Sequence, residues 1–169
     1  MQTKKTKHNF WLGIWNFEYR DKDGNLKEAW SSQNALADEG ESSMLDTYFR
    51  ATNSPTTFYL RLFNDTPVET DALSNLTGEP ASTYEYAAQE LTRNATGFPT
   101  LELDSGDYQV VSKQVTFTAT GGSWGPVTYA VLATSTDSSG KLIAFNELSS
   151  AKTLASGETL KVTLTLKLQ

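Results

Sequence analysis

The residues in this chain that could do chemistry are carboxylates. Glu102 and Asp104 stand two apart and share a face if their segment is a strand, while Glu85 and Glu90 flank tyrosines. Two carboxyls about 5–10 Å apart across a cleft, one with a raised pKa, would suit glycoside hydrolysis. Twenty Asp and Glu among 169 residues generate such pairs by chance, and nothing marks one pair as buried, so no enzyme is expected. Cysteine is absent, which excludes thiolate nucleophiles, disulfides and Cys-ligated metals. The one histidine, His8, sits in a polar N-terminal stretch, a poor place for a catalytic triad or a metal. Asp21, Asp23 and Asn25 resemble half a calcium loop, but the spacing and closing Glu are missing, and a hairpin turn explains DKDGN. No phosphate-cradling glycine motif occurs. Asn64, Asn75 and Asn94 each begin an N-x-T triplet, read as chance because no signal peptide is apparent. The expectation is no cofactor and no metal.

Aromatic and basic residues carry more information. Trp11, Trp15, Phe17 and Tyr19 share one face of the first strand, either as core or as a platform for a sugar or a subunit. Trp124 lies inside the glycine-rich GGSWGP turn, hard to bury there and expected to anchor a contact. Tyr84 and Tyr86 fall in a long polar region and need covering, by this chain or by a neighbour. Lys4, Lys5 and Lys7 precede the first apolar residue, in a solvated terminus or in an arm that orders on an acidic partner. The candidate partner contacts are therefore Lys4, Lys5, Lys7, Phe10, Trp11, Trp15, Tyr84, Tyr86 and Trp124.

Those residues need a scaffold, and length and composition allow one. The chain has 169 residues, 38% hydrophobic and 20% charged, which fits one domain with its own core. The expected layout is a flexible basic arm at 1–9 and a single β-rich domain at 10–169, with a long loop at about 65–99. Net charge is −6. Since the three arm lysines belong to the fourteen basic groups, the remainder carries eleven against twenty acidic, a balance of −9. General nucleic-acid affinity is not expected. No window approaches the roughly 20 apolar residues of a membrane-spanning helix, so no membrane is expected and the protein reads as soluble in a cytosol-like compartment.

Periodicity predicts mostly β structure. Phe10–Arg20 and Leu26–Ser32 form a hairpin around DKDGN. Leu36, Met44, Leu45, Tyr48 and Phe49 recur at helical spacing, predicting one amphipathic helix over about 36–50, capped by Asn34 or Asp38 and docked on a sheet. Thr57–Asn64 is a strand with Phe58, Leu60 and Leu62 on one side. Strands follow at Tyr108–Ser112, Val115–Thr120, Val127–Thr136, Lys141–Leu148 and Thr159–Leu168. Val127–Thr136 is apolar on both faces and so central. The fold class is a β-sandwich or jelly-roll-like barrel with one helix packed on it.

Three stretches carry a resemblance. They are NALADEGESSMLDTYFR at 34–50 with TFYLRLFN at 57–64; LTGEP at 76–80 with ELTRNATGFP at 90–99; and FTATGGSWGPVTYAVLATSTDSSGKLIAFNEL at 117–148 with SGETLKVTLTL at 156–166. Their order resembles small virion structural proteins of tailed bacteriophages. The chain departs at Ala88, where the similar proteins carry arginine in a G-Y-A-R-Q element. The resemblance implies a β-sandwich on the phage particle, assembled in the host cytoplasm. It points first to a capsid decoration (cement) protein that binds the major capsid protein or another virion protein, with a trimer favoured. The alternative is a tail- or head-associated module that recognises a host glycan or receptor.

Overall fold

The computed structural model describes residues 12–50 and 54–167. The expected contacts at Lys4, Lys5, Lys7, Phe10 and Trp11 lie outside the described residues. Among the described residues, eleven strands form two antiparallel sheets, as a β-sandwich requires, and a short helix accompanies them. The strands are β1 (Gly13–Arg20), β2 (Leu26–Gln33), β3 (Ala35–Leu36), β4 (Thr57–Phe63), β5 (Gln89–Thr92), β6 (Thr100–Asp104), β7 (Asp107–Val111), β8 (Val115–Thr118), β9 (Trp124–Ala133), β10 (Leu142–Leu154) and β11 (Thr159–Lys167). Helix α1 (Asp38–Leu45) follows β3.

The first sheet runs β2-β1-β11-β7-β6, and β8 also pairs with β11. β8 takes Thr159–Val162 and β7 takes Thr165–Lys167, so β7 and β8 lie end to end along one neighbour. The joint between them is Ser112. Its N–H donates to Leu164 O at 2.8 Å, and its hydroxyl accepts from Leu164 N at 2.9 Å, which keeps the buried ladder satisfied where pairing breaks. The second sheet runs β3-β10-β9-β4-β5.

Alternation along the strands sets two apolar layers. Trp15, Phe17, Phe117, Val162 and Leu164 of the first sheet meet Leu60, Leu62, Leu91, Ala130 and Leu132 of the second. Phe63, Val131, Ala133, Leu142 and Phe145 point away from that core and form a second cluster, covered by Leu73 and Leu76. This is why β9 reads as apolar on both faces. The long segment after β4 is thus a lid over the outer face of the second sheet, and β5 inside it extends that sheet beside β4.

A buried cation fastens the lid. Arg61 alternates with Leu60 and Leu62, so it sits on the outer face of β4, 5% exposed. Its guanidinium grips both carboxylate oxygens of Glu79, with Nε to Oε1 at 2.9 Å, and donates to the carbonyls of Ser135 and Asp137. Tyr86 donates its hydroxyl to Glu79 Oε1 at 2.8 Å and accepts from Leu62 N at 2.9 Å. Burial, and then the Glu79 charge, push the Tyr86 phenol well above its usual range. The charged pair is therefore fully bonded, which a buried ion pair requires to avoid an uncompensated desolvation cost.

The helix differs from the expectation for 36–50. Leu36 belongs to β3 instead, paired with Ala144, and the α-helical part stops at Leu45, continuing as one wide π turn over Asp46–Arg50. Ala37, rather than Asn34 or Asp38, is the N-terminal boundary residue, and no side chain caps it. Glu39 does the fastening: its carboxylate accepts from Leu142 N at 2.7 Å on β10 and from Leu73 N at 3.1 Å in the lid. Gly40 lets the helix touch down, since a Cβ there would lie 2.1 Å from the Ile143 carbonyl oxygen. The expected docking of Leu45, Tyr48 and Phe49 does not occur. With its N-terminal turn held against β10, the helix carries those side chains off the sheet, and all three are exposed.

Two outcomes test these linkages. Glu79→Gln leaves the Arg61 guanidinium buried without its anion and is expected to cost about 3–5 kcal/mol, read as a lower urea midpoint; the double change Arg61→Met with Glu79→Leu restores most of it. Four carboxyls are also held low. Asp21 is lowered by bonds from Asn25, Glu28 by Lys152 and Ser149, and Asp137 to about 2 by Ser139; at Glu158 burial opposes, but bonds from Lys27 and Tyr19 prevail. Depressed in the folded state, each stabilises fully above the unfolded carboxylate range and less as pH falls through its folded value. The melting temperature is therefore expected to fall between about pH 4.5 and about pH 2, and an unchanged value across that range would contradict it.

Candidate interaction surface

Six of the large apolar side chains left exposed, Leu45, Tyr48, Phe49, Leu101, Leu103 and Tyr108, gather at one end of the sandwich, while Ile14, Leu26, Val68 and Tyr84 are open elsewhere. β6 and β7 form a hairpin with Ser105 and Gly106 at its tip, both at positive φ as a tight two-residue turn demands. Leu101 opposes Val110 and Leu103 opposes Tyr108, so one face of the hairpin is apolar. Glu102, opposite Gln109, and Asp104 lie on strand positions between them and are exposed. β11 pairs with β7 at Val111, Val110 and Gln109, beside the tip that carries Leu103 and Tyr108. Lys167 reaches it, donating to Asp104 O at 2.9 Å.

The apolar face continues inward. Val110 opposes Leu166 on β11, and Leu166, Phe58 and Phe98 line the wall shared by two adjoining depressions. The deeper is an open groove of about 660 Å³, bounded on the far side by Met44, Tyr48 and Phe49. Phe58 and Phe98 meet edge to face at 6.2 Å, and Tyr48 and Phe49 do so at 5.0 Å. The result is one apolar band from the hairpin tip to the end of the helix. Its most open members are Tyr48 at 83%, Phe49 at 75%, Leu101 at 73% and Tyr108 at 67% exposure. Side chains of this size scattered singly are ordinary; contiguous, they mark a surface made for contact.

The other end of the sandwich is polar and closed on itself. Lys152 donates to Glu28 at 2.6 Å and to Ser150 at 2.7 Å, with its ammonium 4.8 Å above the Trp30 ring. Lys27 pairs with Glu158 at 2.7 Å, and that carboxylate also accepts from the Tyr19 hydroxyl at 2.5 Å. These groups satisfy one another. Among the described residues, no group of three or more His, Cys, Asp or Glu gathers in a way that could hold a metal.

Three expected contact residues require correction. Trp15 is wholly buried between the sheets, 6.5 Å from Phe17. Tyr86 is buried, its ring stacked on Phe117 at 6.1 Å and its hydroxyl in the Arg61–Glu79 network. Trp124 is not held out by its glycine-rich turn. It begins β9, and Gly125 at φ 119°, close against the Lys152 carbonyl, lets the chain turn so that the indole enters the core. There it donates to Thr118 O at 3.3 Å and meets Tyr86 edge to face at 5.3 Å. Tyr84 is the one that remains half open. It holds a left-handed backbone (φ 61°), its carbonyl accepts from Thr120 N at 3.0 Å, and its ring lies against Gly122.

The residues that sequence reasoning missed are Leu101, Leu103 and Tyr108, while Tyr48 and Phe49 were read as core. The available signal was alternation in TLELD followed by a Ser-Gly tip, the mark of a half-apolar hairpin.

A family model described as Podophage GP4 fiber I protein gp80 matches residues 35–167. No curated protein matches the chain. The match spans well over half of the sequence, so the chain belongs to this family, and with it to the structural proteins of bacteriophage particles.

The core placement makes a direct prediction. Trp15→Ala and Trp124→Ala are each expected to lower stability by about 3–5 kcal/mol in urea unfolding. Tyr84→Ala, which leaves the backbone bond to Thr120 in place, is expected to cost less than about 1 kcal/mol.

Proposed function

We propose that this member of the podophage fiber family is a fiber-type virion module, head- or tail-associated, that works by burying surface against other virion proteins. The observation that carries the reading is the family match across both sheets of the sandwich, from β3 to β11. The apolar band supports it, because a part that joins proteins needs exposed apolar area on a rigid body. At about 25 cal/mol per Å², a few hundred Å² withdrawn from water is a substantial gross contribution to each contact.

A cement protein spread over the capsid lattice is the weaker reading, since the family description names a fiber. Recognition of a host glycan or receptor fits a fiber module better than it fits a cement. The ring faces open for that purpose are those of Tyr84, Tyr48, Phe49 and Tyr108, not Trp15 or Trp124. In this reading nothing is catalysed, no cofactor is used, and the virion surface is the place of action after assembly in the host cytoplasm. Glu102 and Asp104 then serve as solvated positions on an exposed hairpin.

Immunogold electron microscopy of intact particles, with an antibody to this chain, checks the reading. Label confined to fibers is the expected result. Label covering the capsid lattice would reinstate the cement reading, and particles that lack the chain by mass spectrometry would overturn both.

A further inference from the structure

We infer that the apolar band is the seat of a second copy of this chain, with the β6–β7 hairpin of one copy lying on the helix-side groove of the next. The argument begins with area. Leu45, Tyr48, Phe49, Leu101, Leu103 and Tyr108 are all between 60% and 83% exposed. Together they leave roughly 900 Å² of side chain open, more than the largest apolar patch of a typical monomer and about what one partner contributes to a stable protein interface.

Shape and charge point to a second copy. The hairpin offers an exposed strip of Leu101, Leu103 and Tyr108, and the groove of about 660 Å³ offers an open apolar recess between Met44, Tyr48, Phe49, Phe58 and Phe98. One molecule thus carries both a projection and a recess of the same chemistry. Apart from Arg93, which lines both depressions, the side chains of the band are uncharged, whereas the chain as a whole has a net charge of −6. Two copies meeting elsewhere would bring net negative surfaces together; meeting here, they bury area lined without carboxylates. The aromatic and leucine composition matches that of an interface core, where charged residues are depleted and aromatics enriched.

This inference supplies a partner for the surface used in the proposed fiber role, and it is read in solution, so either can fail without the other. The test is the mass of the purified full chain by light scattering and sedimentation over a concentration series. The expected wild-type result is a discrete multiple of 18.6 kDa. Leu103→Lys with Tyr108→Lys removes the projection, and Tyr48→Lys with Phe49→Lys spoils the recess. Each pair is expected to return the chain to 18.6 kDa with an unchanged circular dichroism spectrum, because the replaced side chains are exposed. For the wild type, hydrogen exchange is expected to slow at both 44–49 and 100–111 as concentration rises, a reading that needs no variant to fold. A wild type that stays at monomer mass throughout overturns the inference, as does an oligomer that survives both pairs of changes. A monomer that associates only after deletion of residues 2–9 also overturns it, by assigning the band to the chain's own N-terminal arm.

Discussion

A sheet that is apolar on both faces has to be covered twice, and much of this molecule follows from that constraint. β9 and β10 put Ala130, Leu132 and Ala144 toward the first sheet and Val131, Leu142 and Phe145 away from it. The first sheet covers one side. The other side needs a lid, and the chain supplies it from the segment after β4. Leu73 and Leu76 give the lid an apolar seat, and a polar attachment adds to it: Arg61 takes Glu79 in a two-pronged grip, and Tyr86 completes the network from the core side. Because the guanidinium is buried, its planar fork and fixed charge suit it to this role better than a lysine would.

The same economy of fastening explains why apolar surface is left over. Helix α1 is tied at its beginning, through Glu39 and the close approach at Gly40, and its far end is not drawn down. The β6–β7 hairpin likewise leaves Leu101, Leu103 and Tyr108 exposed. Two elements therefore overrun the core at the same end of the sandwich, and their apolar faces adjoin across Phe58, Phe98 and Leu166. The opposite end, closed by Lys152, Glu28, Lys27 and Glu158, leaves less of it, with Leu26 exposed beside Lys27.

The strands were legible in the sequence because period-two alternation is a local signal. LKVTLTLK shows its buried face without reference to any partner, and the hairpin at DKDGN shows its turn. The lid was seen only as a long polar stretch, since its function depends on Arg61, eighteen residues before its partner Glu79. The helix was legible to within two residues, but the seating of its far end was not, for a related reason. Helical spacing states which residues share a face but not whether that face is pressed against anything, and here the attachment lies at the other end. Trp124 was misplaced because a glycine-rich turn reads as surface, although the freedom of Gly125 is what lets the indole turn inward. The contact surface was the least legible part. It arises where two elements distant in sequence overrun the core together, a fact of topology with no local signature.

β6 closes one side of its sheet, so its outer backbone groups are available to any strand that approaches. A bare rim of this kind invites runaway stacking into insoluble ribbons. Here Glu102 and Asp104 alternate with the leucines along that rim, and Asp107 lies across the turn. Two such rims laid side by side would bring six carboxylates together against two lysines, since Lys167 pairs with Asp104 and Asp107 in each copy. The rim is thus guarded by electrostatic repulsion while the flat of the hairpin stays adhesive, which lets a sticky protein remain dispersed in a crowded cell.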